Sequence, residues 1–308
     1  MVVYLSEFIH PPAAELLKRH VTVVDNFEQI EEIDAIIVRG VSVTEEMMQR
    51  ATKLKVIAKH GIGCNSIDVE AARARGIKVI YTPTANADSV AEMTVGLILT
   101  LQRRIAEANI KCRNNEFSTI APNNFMGSEL AGKTFGQIGM GNIAQRIAHI
   151  MGAGFRTKVL GYDPFVTAEE AERRGFEKVD SIEELLERSD MVNINVPLTE
   201  KTKNMISGEL FDHFKPNAVF VNAARGAVIN EDDLYDALIS GKLKAAACDT
   251  FIIEPPTASN KLLSLHNFCA TPHIGGNTYE ALEKAGMEVV TETLNVLNGK
   301  EPTHPYLM

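Results

Sequence analysis

Polar residues in the second half of the chain follow directly on apolar runs: Arg225 in VFVNAARG, Asp249 and Glu254 in AAACDTFIIEPP, and His273 in FCATPHIGG. Short apolar runs bounded by glycine, proline or asparagine read as buried strands, and α/β folds gather ligands at the carboxyl ends of such strands. Arginine suits a carboxylate because its planar fork makes two parallel hydrogen bonds. Histidine exchanges a proton near neutral pH, and a carboxylate beside it, here Glu254, favours the protonated ring. The proline and glycines flanking His273 predict a rigid turn that lets backbone lie close to a ligand. Together these types serve one chemistry: a cation to hold a carboxylate, an acid to protonate a carbonyl oxygen, and a partner that keeps the acid charged. Plainer readings stay open at this point: His273 as a loop cap, Arg225 and Glu254 as solvated residues. Of the other histidines, His10, His20, His149, His213 and His304 lie in helical or terminal stretches, and His266 in LLSLHNF is a weaker rival.

The stretch GQIGMGNIAQRIA follows an apolar run and opens a helix. Gly139, Gly141 and Ala144 fit a dinucleotide fingerprint: the first allows a tight turn, the second admits a pyrophosphate, and the small third residue lets helix pack on strand. The helix start then favours phosphate charge. The next strand, KVLGYD, ends in Asp163, about twenty residues on, where a carboxylate takes hydrogen bonds from the adenosine ribose. That carboxylate repels a 2′-phosphate and no arginine follows in YDPF, so NAD is favoured over NADP. A nicotinamide cofactor completes the chemistry above, with hydride passing to C2 of a 2-oxo acid as the histidine supplies the proton.

The elements that must position these groups alternate strand and helix. VVYL, PPAAELLKRH, VTVV, AIIV, a helix around Thr44 to Ala51, LKVIAK, a helix around Val69 to Arg75 and IKVI imply a parallel sheet with helices on its faces. A single long helix is expected from about Asn86 to Asn114, followed by an irregular stretch and a second series from Thr134: TFGQIG, a helix Asn142 to Met151, KVLGYD, helices near Ala168 and Ile182, MVNIN, AVFVN, a helix Glu231 to Ile239, and AAACDT. A last helix, Thr278 to Asn298, is expected to return to the first domain and bury Met287, Val290, Leu294 and Leu297.

At 308 residues two domains are the natural expectation. With 31 basic against 40 acidic residues the net charge is −9, which argues against nucleic acid and against electrostatic attachment to a membrane. No apolar run is long enough to span a bilayer, and the N-terminus lacks a basic leader followed by an apolar stretch. Cys64, Cys112, Cys248 and Cys269 form no CxxC pair, so neither a zinc site nor a redox dithiol is implied, and a soluble, cytoplasmic protein without metal is expected.

The sets KHGIGCNSID, TPTANADSVAEMTVGLIL, GKTFGQIGMGNIA, NVPLTEKTKNMI, VNAARGAVINEDDLYDAL, DTFIIEP and TPHIGGNTYEA resemble, in order and spacing over nearly the whole chain, the D-2-hydroxyacid dehydrogenases, which include 3-phosphoglycerate dehydrogenase, glycerate dehydrogenase and D-lactate dehydrogenase. The resemblance implies an α/β protein with a Rossmann-type doubly wound NAD domain (99–280) inserted into a smaller flavodoxin-like substrate domain (1–98 and 281–308). It also implies a homodimer formed through the NAD domain. His273 resembles the proton donor, Glu254 its partner, Arg225 the substrate arginine, and Asp249 a contact to the nicotinamide amide. Gly139, Gly141, Asn142, Ile143, Asp163, Pro197, Ala223, Ala224, Arg225, His273, Gly275 and Gly276 match cofactor contacts, and the backbone of Gly61, Ile62 and Gly63 matches a cradle for the substrate carboxylate. Asn142 stands where a basic residue is common and Asn195 where a histidine is common. The regulatory domain of longer phosphoglycerate dehydrogenases is expected to be absent.

By the same resemblance Arg39, Lys59 and His60 face the far end of the substrate, which points to a polar or anionic tail, phosphoglycerate-like or, alternatively, that of a glyoxylate or hydroxypyruvate reductase. Solvated or backbone-supporting residues remain an open reading of all three. An NAD-responsive scaffold of the corepressor type shares this fold, and the absence of a disordered extension argues against it.

Overall fold

The structure, a computed structural model, describes residues 1–306. Two compact units make up the chain: Met1–Ala87 with the segment from Gly276 onward, and Asp88–Gly275.

The first unit runs β1 (Val2–Leu5), α1 (Pro11–Lys18), β2 (Thr22–Val24), β3 (Ile33–Val38), α2 (Glu45–Arg50), β4 (Val56–Lys59), α3 (Val69–Ala74) and β5 (Lys78–Tyr81). Thr44 and Asp68 start α2 and α3 by accepting hydrogen bonds from the Met47 and Ala71 amides, which satisfies donors a helix start leaves unpaired. The strands pair in parallel in the order β2-β1-β3-β4-β5, the flavodoxin-like order. Apolar clusters cover both faces of this sheet, which is why β3 and β4 read as continuous hydrophobic runs.

The second unit contains α4 (Ala87–Arg103), α5 (Ile105–Arg113), β6 (Thr134–Ile138), α6 (Asn142–His149), β7 (Lys158–Tyr162), α7 (Ala168–Arg173), β8 (Glu177–Lys178), α8 (Ile182–Arg188), β9 (Met191–Ile194), β10 (Val219–Asn222), α9 (Glu231–Ile239), β11 (Ala245–Cys248) and β12 (Phe268–Ala270). Its sheet is parallel, ordered β12-β11-β10-β9-β6-β7-β8. The order reverses between β6 and β9, so the loops leaving those strands flank the crevice where dinucleotides bind in doubly wound sheets. The unit begins at Asp88 rather than residue 99 because Ala91, Val95, Ile98 and Leu101 of α4 pack into the same core as Phe135, Ile147 and Val221.

The single helix expected over 86–114 is broken. Arg104 separates α4 from α5 in a left-handed conformation (φ 53°), with its guanidinium on both oxygens of Glu107, on the Asn124 carbonyl and over the Phe125 ring. Side-chain bonds and a cation–π contact here override helix propensity. Beyond α6 the backbone continues through one π-helical turn, Ile150–Gly154.

The last helix, α10 (Tyr279–Leu297), packs on α1, β3, β4 and β5 of the first unit. Its buried face holds Ala281, Ala285, Val289, Val290, Thr293, Val296 and Leu297, whereas Met287, expected inside, is 37% exposed. Small residues at this face set the contact that large apolar side chains suggested in the sequence. Among the described residues no helix is long and apolar enough to cross a membrane.

Candidate active site

The fingerprint lies on the turn from β6 to α6. Gly139 has φ 85°, and a Cβ there would stand 2.4 Å from the Asn195 carbonyl oxygen, so conformation and space both demand glycine. Gly141 caps α6, and nothing lies within 4 Å of where its Cβ would be. Ala144 is fully buried, as close helix–strand packing requires. Asn142 and Ile143 follow on the solvent side, exposed and half-buried. Asp163 comes one residue after β7 and turns back on the loop: its Oδ2 accepts the Met140 amide at 3.0 Å and its Oδ1 the Phe165 amide at 3.0 Å. An open glycine turn at a helix start with a carboxylate beside it fits a dinucleotide, whose pyrophosphate would meet the Gly141–Asn142 turn and whose ribose would meet Asp163. Arg174, after α7, donates to the Met140 carbonyl at 3.0 Å. An arginine therefore does stand beside this turn, eleven residues past Asp163 in sequence and invisible to a reading confined to YDPF.

Loops from four neighbouring strands of this unit, β9 to β12, carry the remaining groups. Asn222, the last residue of β10 and fully buried, accepts the Ala224 amide at 3.0 Å and donates to the Arg225 carbonyl at 2.9 Å, which fixes the loop Ala223–Arg225. Arg225 Nη1 donates to the Ala224 carbonyl at 2.6 Å. At Gly226 a Cβ would fall 1.9 Å from the Phe251 carbonyl carbon, so only glycine lets the loop after β10 lie against the one after β11. That close approach puts the Arg225 charge where it acts on Glu254.

His273 Nδ1 and Glu254 Oε2 are 2.9 Å apart, and Glu254 Oε1 accepts the Phe251 amide at 3.0 Å. Burial, the largest single influence on Glu254, pushes its carboxyl up. The His273 hydrogen bond, the Phe251 amide and the charges of His273 and Arg225 outweigh it and hold the group below its ordinary value. Both side chains keep access to solvent, 46% for His273 and 37% for Glu254. His273 itself has φ 57°, uncommon for a residue with a Cβ. Asp249, expected as a cofactor contact, is 1% exposed and turned into the protein, where it binds the turn that carries His273. Pro197, in the loop after β9, bonds through its carbonyl to Thr202 Oγ1 at 2.6 Å. Asn195 accepts from the buried Asn193 amide at 2.5 Å, joining that loop to a polar pair inside the sheet in which Asn193 also donates to Gln137.

In the first unit the expected tail contacts are already engaged. Lys59 is buried, with its ammonium on the Arg39 carbonyl and 3.4 Å from Ser66 Oγ. Arg39 Nη1 donates to the Phe8 carbonyl at 3.2 Å, and its amide donates to Glu7. Glu7 was not singled out in the sequence, yet its carboxylate gathers the amides of Arg39, Gly40 and Val41 beside Lys59. Burial pushes that carboxyl up, and the three amides and the lysine bring it below its ordinary value. His60 is 7% exposed, and burial first, then the Arg39 charge, push its pKa down to about 4. It is therefore neutral at pH 7 and adds no positive charge. In the Gly61–Gly63 loop the Gly61 amide donates to Thr82 Oγ1 at 2.9 Å, and among the described residues no acceptor meets the Ile62 or Gly63 amide.

Residues 95–275, more than half of the chain, match the family profile described as D-isomer specific 2-hydroxyacid dehydrogenase, NAD binding domain. The chain is 44% identical over 274 residues to a D-3-phosphoglycerate dehydrogenase of Methanocaldococcus jannaschii, covering 89% of this chain and 51% of that one. It is 40% identical over 286 residues to a hydroxypyruvate reductase of Thermotoga maritima, covering 92% and 91%. Among solved structures, the D-lactate dehydrogenase of Aquifex aeolicus complexed with NAD and lactic acid superimposes with a TM-score of 0.86 at 27% identity, covering 97% and 96%. The chain thus belongs to the D-isomer-specific 2-hydroxyacid dehydrogenase family, and its larger unit is an NAD-binding domain of that family. It spans about half the length of the phosphoglycerate dehydrogenases that it matches.

Proposed function

We propose that the protein is an NAD-dependent D-2-hydroxyacid dehydrogenase acting on a small substrate with a polar tail. The observation that carries this reading is the His273–Glu254 pair at 2.9 Å, on loops of the unit that holds the dinucleotide fingerprint. Bound NAD supplies the hydride exchange at C2. His273 gives the proton to the carbonyl oxygen, or takes it from the hydroxyl in the reverse direction, and Glu254 stabilises the charged ring. Arg225 binds the substrate carboxylate through its fork. Asp163 selects NAD by taking the ribose hydroxyls.

Glu7, lying beside Lys59, and the neutral His60 lower the positive charge expected of the Arg39–Lys59 region. This favours an uncharged hydroxymethyl tail, as in hydroxypyruvate, over a phosphate. The phosphohydroxypyruvate reading is kept alive by Arg39 and Lys59 and by the 44% identity to a phosphoglycerate dehydrogenase. Oxidation of NADH by purified protein with glyoxylate, hydroxypyruvate, phosphohydroxypyruvate and larger 2-oxo acids tests both. Turnover is expected with hydroxypyruvate ahead of its phosphate ester, and the reverse order would favour the anionic tail. We also propose a homodimer formed through the NAD-binding unit. Its support is α5 and the loop after it, where Ile105, Ile110, Ile120 and Met126 are 51%, 57%, 97% and 78% exposed.

A further inference from the structure

We propose that the second unit carries an anion site away from its catalytic loops: a cavity at the amino ends of β11 and β12 that takes a small multivalent oxyanion, a phosphate or a polycarboxylate. The cavity measures about 340 Å³ and lies between the α4–α5 junction and those strand ends. Arg104, Glu107, Lys244 and His266 are among its polar walls, and Met126 and Phe268 among its apolar ones. Pockets for small molecules begin at about 300 Å³, so the space suits a compact ligand. The four residues of β11, about 13 Å of extended chain, separate Lys244 from the strand end that leads to Asp249 and Glu254. The cavity is therefore distinct from the loops of Arg225, Glu254 and His273.

Charge decides the class of ligand. Lys244 is half-buried, and among the described residues no acceptor meets its ammonium. Burial first, then the charges of Lys133 and Arg104, hold it below the ordinary lysine value, so its charged neighbours are cations. Other lysines of this unit, Lys111, Lys158, Lys215, Lys242 and Lys261, each pair with a carboxylate. Glu107 offsets the Arg104 charge by accepting from Nε and Nη2 at 2.8 Å each, which leaves Lys244 unmatched. The Asn124 carbonyl holds Arg104 as well, so that cation is in place before any ligand arrives. The exposed His266 ring, without a partner among the described residues, adds a further donor. A partly desolvated cation with no counter-charge is costly, and an anion that accepts from several of these donors relieves it through charge-assisted bonds.

The test uses the full chain, with inorganic phosphate titrated at constant ionic strength and backbone amide shifts read by NMR. The amides of Ala245, Asn267 and Phe268 should move to saturation with phosphate and stay in place with sodium chloride at the same ionic strength. Lys244→Met should weaken the phosphate Kd read at these amides by about tenfold or more, and His266→Ala by about threefold. The Gly141–Asn142 turn, where phosphate can also bind, should keep its own midpoint in both variants. Citrate separates the sources of the anion: saturation at lower concentration than phosphate assigns a polycarboxylate, and the reverse order assigns a phosphate. Acetate, with a single charge, should bind about tenfold more weakly than the better of the two, and equal binding would overturn a multivalent site. Amides that stay in place, that move equally with chloride, or that keep their midpoint in both variants would overturn the site altogether. Shifts that follow protein concentration instead of phosphate would overturn it in favour of a second copy of the chain seated in the cavity, since Met126 also stands in the proposed dimer contact. If Lys244→Met does not fold, Lys244→Gln and His266→Ala decide on the same readout. No turnover enters the measurement, so failure of the proposed activity leaves its result standing.

Discussion

His273 meets Glu254 because the turn after β12 is held by the buried Asp249 carboxylate, while the Phe251 amide holds the Glu254 carboxylate on the loop after β11. Glu254→Gln keeps the shape and removes the charge that faces His273. Turnover at pH 7 should drop by about 10- to 100-fold with little change in NADH affinity, as steady-state kinetics and fluorescence titration would show. The Glu254 carboxyl is held below 4.5, its ordinary value, so the stability it contributes is present above that pH and lost as pH falls through the lower folded value. The stability difference between wild type and Glu254→Gln should therefore be largest near neutrality and close up in acid. His60 runs on a different window. Its unfolded form takes a proton near 6.5 and its folded form near 4, so the unfolded chain binds more protons between them and stability falls as pH drops through that range. From pH 7 to pH 5 this loss is about 2 kcal/mol, and His60→Leu should abolish it, read as amide-exchange protection of β4. The pairing of Glu254 with His273 was legible from residue types and strand-end positions. The burial of His60 and the inward turn of Asp249 were not, because sequence shows which groups sit at a strand end but not which way each faces.

At the scale of elements, Gly226 is the hinge of the arrangement. A Cβ at this position meets the Phe251 backbone head-on, so Gly226→Ala must push the loops after β10 and β11 apart. Overpacking of this kind costs about 1–3 kcal/mol, and here it also separates Arg225 from Glu254. Gly226→Ala should lower the melting temperature and raise KM for the 2-oxo acid more than it weakens NADH, since the fingerprint lies on other strands; an unchanged KM would show that these loops do not set the substrate arginine. Most helices and strands of both units were readable from apolar periodicity and caps. The break at Arg104 was not, because no proline stands between Asn86 and Asn114, the one glycine there, Gly96, lies inside α4, and the residue that stops α4 is an arginine held by partners up to 21 residues away in sequence. The buried face of α10 was misjudged for a related reason: its apolar stripe suggested Met287, while packing against α1 and the first sheet favours alanine and valine.

For the whole molecule, alternating strand and helix patterns were enough to predict two parallel sheets, because crossover connections leave few alternatives. Their strand orders, flavodoxin-like in one unit and dinucleotide-binding in the other, place the fingerprint and the loops of Arg225, Glu254 and His273 within one unit. The division at Ala87 and Gly275 was harder to read, since α4 carries an apolar face and only the core that it enters tells which unit owns it. If the exposed apolar residues of α5 and the following loop form a dimer contact, wild-type protein should sediment at twice the mass of the chain. Ile120→Glu with Met126→Glu should then shift it toward monomer, and a monomeric wild type would remove the homodimer from the account. The most direct test of the central claim is the rate of NADH oxidation with hydroxypyruvate for wild type and His273→Ala. The account predicts turnover by wild type and a loss of about 100-fold or more in the variant with NADH still bound; a variant that turns over at near wild-type rate would contradict it.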